Sequence, residues 1–200
     1  MRFPYEKLTP ESGSIDGYLF ENETAGIKRG IFLNINIDFA PIKWEDSDWQ
    51  CGLLIDWIPL KGRSWKAIEA IDCSSKQVHS KWEVSFYHES HFDCHDVKLS
   101  MTHTSDSFFR VLLSGKFDYP GYFGGPPDPQ MPFAADLEIP FNGITLSQDS
   151  FFPKPSSTED AQLLLGDFID PNAFEVPDFK DGKYLFRPRP FDIIKKLFRN

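Results

Sequence analysis

Cysteine is scarce in this 200-residue chain and follows no pattern. Cys51, Cys73 and Cys94 are odd in number and widely spaced, which is not the disulfide framework that staples small secreted domains. No apolar run approaches the roughly 20 residues that span a bilayer, and the opening stretch MRFPYEKLTPESGS lacks the apolar core of a secretory signal. These absences predict a cytoplasmic protein with reduced thiols and no membrane contact. Positive charge is also in short supply, with 21 Lys and Arg against 30 Asp and Glu and a formal net charge of −9. Nucleic-acid binders carry a basic footprint, so nucleic acid is excluded as a partner, and the charge balance suits a basic protein instead. No G-x-S-x-G elbow, phosphate-binding P-loop or G-x-G-x-x-G turn occurs. No cofactor is expected.

Aromatic residues are abundant, with 20 Phe, 6 Tyr and 5 Trp among 40% hydrophobic residues, enough for one sizeable core. The patterning is that of strands. In GIFLNINIDFAP, residues 30–41, Ile31, Leu33, Ile35, Ile37 and Phe39 alternate with polar residues, the period of a half-buried strand. Similar alternation runs through 51–59, 82–88, 97–103, 107–119 (with a break at Gly115) and 133–146, where Asn142–Gly143 reads as a hairpin turn. Residues 65–71 fit either a strand or a short helix, and the β-rich surroundings favour strand. Short strands separated by turn residues predict a single-domain antiparallel β-sandwich, or a partly open barrel, over 1–153.

The chain changes character after Pro153. Ser156 followed by Glu159 resembles a capping box, with Gly166 as the stop, and predicts a short helix near 157–165. Residues 171–190 read as a proline-punctuated extended arm, and PFDIIKKLFRN as a terminal helix near 190–199. Residues 154–200 are therefore expected to form a helical and extended arm packed on the same domain. Its basic side chains face acidic surface or, alternatively, an acidic partner.

FYHESHFDCHDVKL, residues 86–99, holds three of the five histidines. On a helix His88, His91 and His95 would share a face, but the flanks alternate as strands do. A hairpin with its tip near Phe92–Asp93 is the expectation, pairing His88 with Val97, Phe86 with Leu99 and Trp82 with His103. It puts His88 and His95 inside and turns His91 and Cys94 the other way, too few ligands on either face for a zinc ion. His88-Glu89-Ser90-His91 is one residue short of H-E-x-x-H, so no metal site is assigned.

Two aromatic, acidic loops are better candidates for contact. One is IKWEDSDWQ, with Trp44, Glu45, Asp46, Asp48 and Trp49. The other is the proline- and glycine-rich stretch 119–133, with Tyr119, Tyr122, Phe123 and Asp128. Rigid aromatic loops present contact area at low entropic cost. The reading that follows is a non-enzymatic protein-binding domain of the immunity or antitoxin kind, which occludes the active site of a toxin. The alternatives are a metal-dependent enzyme using the His88–His95 cluster, and a carbohydrate or small-ligand module stacking sugars on Trp44, Trp49, Tyr122 or Phe123.

Overall fold

The computed structural model describes residues 3–44, 46–71, 82–118 and 130–190, with only the backbone of Trp44 and Ala70. The fold is mainly β. Strands β1 (Pro10–Asn22), β2 (Ile27–Phe39), β5 (Gly52–Pro59), β6 (Glu83–His88), β7 (Ser90–Ser105), β8 (Phe108–Phe117) and β9 (Met131–Ser147) pair in that order, and β9 returns to pair with β1. The outcome is a closed barrel rather than a sandwich. Neighbours along the meander are antiparallel, whereas the closing β1–β9 pair is parallel. Parity requires this, because in a meander of seven strands the first and last point the same way. Two short strands, β3 (Ile42–Trp44) and β4 (Ser47–Trp49), form a separate hairpin off the barrel. Among the described residues no helix is long and apolar enough to cross a membrane.

Seven strands enclose an interior that side chains can fill. Ile15, Leu33, Ile35, Ile55, Phe86, Phe109, Val111, Phe117, Phe141 and Ile144 are all buried there. Phe86 and Phe117 stack at 4.1 Å, and Phe3 sits edge-on to both at one end of the barrel. Trp65 closes the opposite end against Phe109 and Phe141. Its segment is not a strand but a 3-10 helix, Trp65–Ala70, begun by the Ser64 hydroxyl accepting from the Lys66 N–H. Trp65 and Ile68, both fully buried, are three residues apart, the spacing of a three-residue turn.

Asn142–Gly143 does not reverse the chain. A two-residue type I′ hairpin needs positive φ at both positions, and here only Gly143 has it, at 119°. The strand continues through a bulge against β1, between the Ile15–Phe141 and Asp16–Gly143 pairs. Gly115 does not break β8 either, because the Phe133 ring of the neighbouring strand lies where its Cβ would be.

Beyond the barrel, helix α1 (Thr158–Gly166) is capped by the Ser157 hydroxyl, which accepts from the Asp160 N–H. The cap sits one residue later than the capping-box pattern places it, while the Asp160 carboxylate reaches back to the Ser156 N–H and hydroxyl. Arg63 donates to the Gly166 and Asp167 carbonyls, a cation at the negative end of the helix. Strands β10 (Asp178–Lys180) and β11 (Lys183–Phe186) then form a hairpin through Asp181 and Gly182, both with positive φ. β11 adds to β9 from Ile144 onward, just past the point where β8 leaves it at Pro140. The helix expected near 190–199 lies outside the described residues.

Candidate functional site

The described strand ends that flank the two contact loops identified in the sequence lie at one rim. Phe39, Gly52, His88, Ser90 and Phe117 end or begin their strands at this rim, where Asp38 pairs with Gly52 and Gly52 with Tyr87. The β3–β4 hairpin springs from it, and the 119–133 stretch leaves and rejoins it at Phe117 and Met131, which pair directly. Glu45, Tyr119, Tyr122, Phe123 and Asp128 lie outside the described residues, as does the Trp44 side chain. Asp46 and Asp48 are exposed on the hairpin, Lys43 being directly opposite Asp48. Trp49 is half-buried, its ring 4.5 Å from the His88 ring, a contact that ties the hairpin to the barrel.

Among the described residues, carboxylates outnumber cations at the rim. Exposed Glu6, Glu11, Asp38, Asp46, Asp48, Glu89, Asp93 and Asp118 surround it, against Lys7, Lys43 and Lys116. Lys116 is held by Asp96 at 2.9 Å and Asp118 by His95 at 2.7 Å. A surface of one sign steers a partner of the other and speeds its encounter.

The histidines do not converge. The β6–β7 hairpin turns on Glu89, whose φ is 59°, with Phe86 opposite Phe92 and Tyr87 opposite His91. The tip therefore precedes the expected Phe92–Asp93 by three residues, and the pairings of His88 with Val97, Phe86 with Leu99 and Trp82 with His103 do not form. A bulge at Asp96, with φ at 52° and a register shift between His95 and Lys98, explains the discrepancy. It switches the inward phase of β7 from Phe92 and Cys94 to Val97 and Leu99, so extrapolating back from Leu99 puts the wrong residues inside. His88 is buried beside Phe3 and Trp49. His95 is instead surface-exposed against Asp118, and Cys94 packs on the core rather than facing away. His91 faces outward, its Nδ1 3.0 Å from the Ser85 hydroxyl. Among the described residues no three His, Cys, Asp or Glu side chains are placed to share a metal ion. Burial pushes the Cys51 and Cys94 thiols up to about 12, far from the depressed values that make a nucleophile; Cys73 lies outside the described residues.

His88 carries a pH signature. Burial lowers its pKa, with Glu89 pulling the other way. The unfolded chain takes up a proton at about pH 6.5, whereas the folded chain resists it until lower pH. Stability is thus full above pH 6.5 and falls as pH drops towards the folded value, by at most about 1.4 kcal/mol per pH unit for one proton. Urea unfolding of the native protein and of His88→Leu between pH 7.5 and 5 should give the steeper decline for the native chain; equal slopes would remove His88 as the cause.

A second cluster, on the outer wall, escaped the sequence reading. In β5 the pairing slips between Leu33–Ile58 and Ile35–Ile55, so that Asp56 and Trp57 both point outward between buried Ile55 and Ile58. Trp57 has φ at 66°, an outlier for a bulky residue. Its ring lies 5.2–5.8 Å from those of Phe20, Tyr18 and Phe32. Burial, together with the neighbouring Asp56 carboxylate, pushes the Tyr18 hydroxyl up to about 12, against a hydrogen bond from the Trp57 backbone. Asp56 is itself raised by burial and by Glu83, its cross-strand partner. Tyr18, Phe20 and Phe32 alternate in strands that carry the core on their other face, and only the bulge, invisible in the sequence, brings Trp57 to them. Against this geometry, comparison with protein families, curated proteins and solved structures found no match.

Proposed function

We propose that the chain is a non-enzymatic protein-binding domain of the immunity or antitoxin kind, whose acidic rim covers a basic cleft on its partner. The observation that carries this reading is the concentration of exposed carboxylates around the β3–β4 hairpin, which belongs to no other sheet. Trp49 on His88 gives the hairpin a rigid root, and a pre-ordered element binds at lower entropic cost than a floppy one. Binding then proceeds by electrostatic steering, followed by steric occlusion.

The test is affinity capture from the source lysate, followed by association kinetics with the captured chain. Asp46→Asn combined with Asp48→Asn should slow association about tenfold at low ionic strength and flatten its salt dependence, leaving dissociation less affected. A captured chain without basic character, or an association rate indifferent to both substitutions, would defeat the proposal.

A further inference from the structure

The outer wall carries a groove of about 830 Å³ between the β1–β2 turn and the adjoining ends of β5 and β6. That volume falls within the roughly 300–1,000 Å³ of small-molecule sites. Phe32 and Trp57 form its apolar wall, and the Lys28, Lys61 and Glu83 side chains, all exposed, stand around it. Trp82 also lines it, although only 8% exposed. The buried Trp82 indole N–H has no hydrogen-bond partner among the described residues. The nitrogen itself is enclosed, so a ligand in the groove meets the edge of the indole ring and not this donor.

We propose that this groove is a carbohydrate-binding site for a neutral oligosaccharide. The mixture of charges selects the class. A phosphorylated ligand meets the Glu83 carboxylate and the neighbouring Asp56, and a cationic one meets Lys28 and Lys61. A neutral, hydroxyl-rich ring both donates and accepts: its hydroxyl hydrogens go to Glu83, and its oxygens accept from the lysines. The apolar C–H face of a sugar ring lies on Trp57 and Phe32, amphipathic neighbours of the kind that bury an apolar body beside polar handles. The bulge gives Trp57 its place. Without it Trp57 would follow Asp56 onto the opposite face of the sheet, into the core. The site lies on the wall of the barrel, away from the acidic rim, so the two can be occupied independently.

The experiment is a glycan array of neutral, anionic and amino oligosaccharides, probed with the labelled full chain, with Trp57→Ala and Glu83→Gln in parallel and circular dichroism to verify folding. Binding to neutral oligosaccharides, reduced about tenfold or more by Trp57→Ala and severalfold by Glu83→Gln, is the expected result. Glu83 is exposed, so Glu83→Gln decides the matter should Trp57→Ala fail to fold. No binding to neutral glycans, binding confined to charged ones, or neutral binding that Glu83→Gln leaves unchanged would each overturn the assignment.

Discussion

Replacing Trp65 with alanine is expected to lower the free energy of unfolding by about 3–5 kcal/mol, a fall of roughly 6–20 °C in Tm for a chain of this size. Trp65 is fully buried and touches three elements. Its ring stacks on Phe141 of β9 at 6.1 Å, meets Phe109 of β8 edge-on at 6.0 Å and lies 5.7 Å from His103 of β7. Its removal opens a cavity at the end of the barrel and unseats the segment through which Arg63 holds the C-terminal turn of α1. Trp65→Phe separates packing from polarity. The phenyl ring keeps most of the contact, and the indole N–H it deletes is buried without a hydrogen-bond partner among the described residues. Losing an unsatisfied donor offsets part of the lost volume, so this variant should stay within about 1 kcal/mol of the native protein. Equal urea midpoints for the alanine and phenylalanine variants would show that Trp65 is not the plug.

What the sequence discloses depends on how far each signal reaches along the chain. Alternation in Ile31–Phe39 and in Leu53–Ile55 is local, and those strands lie where the pattern puts them, whereas Trp57, which continues the same alternation, is turned outward by the bulge. The Ser157 cap and Gly166 bound α1 to within a residue of expectation. Bulges are different, because one inserted residue inverts the faces of everything beyond it. Asp96 does this to the histidine hairpin, and Asp56–Trp57 does it to the outer wall. Closure is also non-local: it depends on the pairing of Gly17 with Ile144, which alternation within either strand cannot reveal. The same blindness affects turns. Asn142–Gly143 and Asp181–Gly182 carry equivalent hairpin chemistry, yet only the second reverses the chain. At the first, β9 goes on to pair with β1 on one edge and β11 on the other, and those ladders outweigh a local turn. The exposure of Asp46 and Asp48 agrees with their polar, turn-like surroundings in the sequence, whereas nothing near Trp49 in the sequence announces that His88 packs against it.

That contest of ladder and turn makes Gly143 the most demanding backbone position in the barrel. It sits where β9 exchanges β8 for β11, at the bulge that follows the first pair of the parallel ladder with β1. Its φ of 119° is one that side chains rarely adopt, and a Cβ would fall 2.9 Å from the Phe186 carbonyl carbon, closer still to the carbonyl oxygen, and 3.1 Å from the Arg187 Cα. These neighbours are backbone and cannot rotate away. Gly143→Ala should therefore cost about 4 kcal/mol or more, the sum of conformational strain of roughly 1–3 kcal/mol and displacement of β11. Gly182→Ala is the control for strain alone. Gly182 also has positive φ, at 74°, but a Cβ there meets nothing within 4 Å, so the cost should be about 1–2 kcal/mol. The difference between the two measures how tightly β11 is clamped to the closing seam. Urea unfolding gives both values, and native-state hydrogen exchange at Leu185 shows whether the seam opens locally. Equal losses for the two variants would mean that β11 yields freely, and that the barrel closes without help from the arm beyond it.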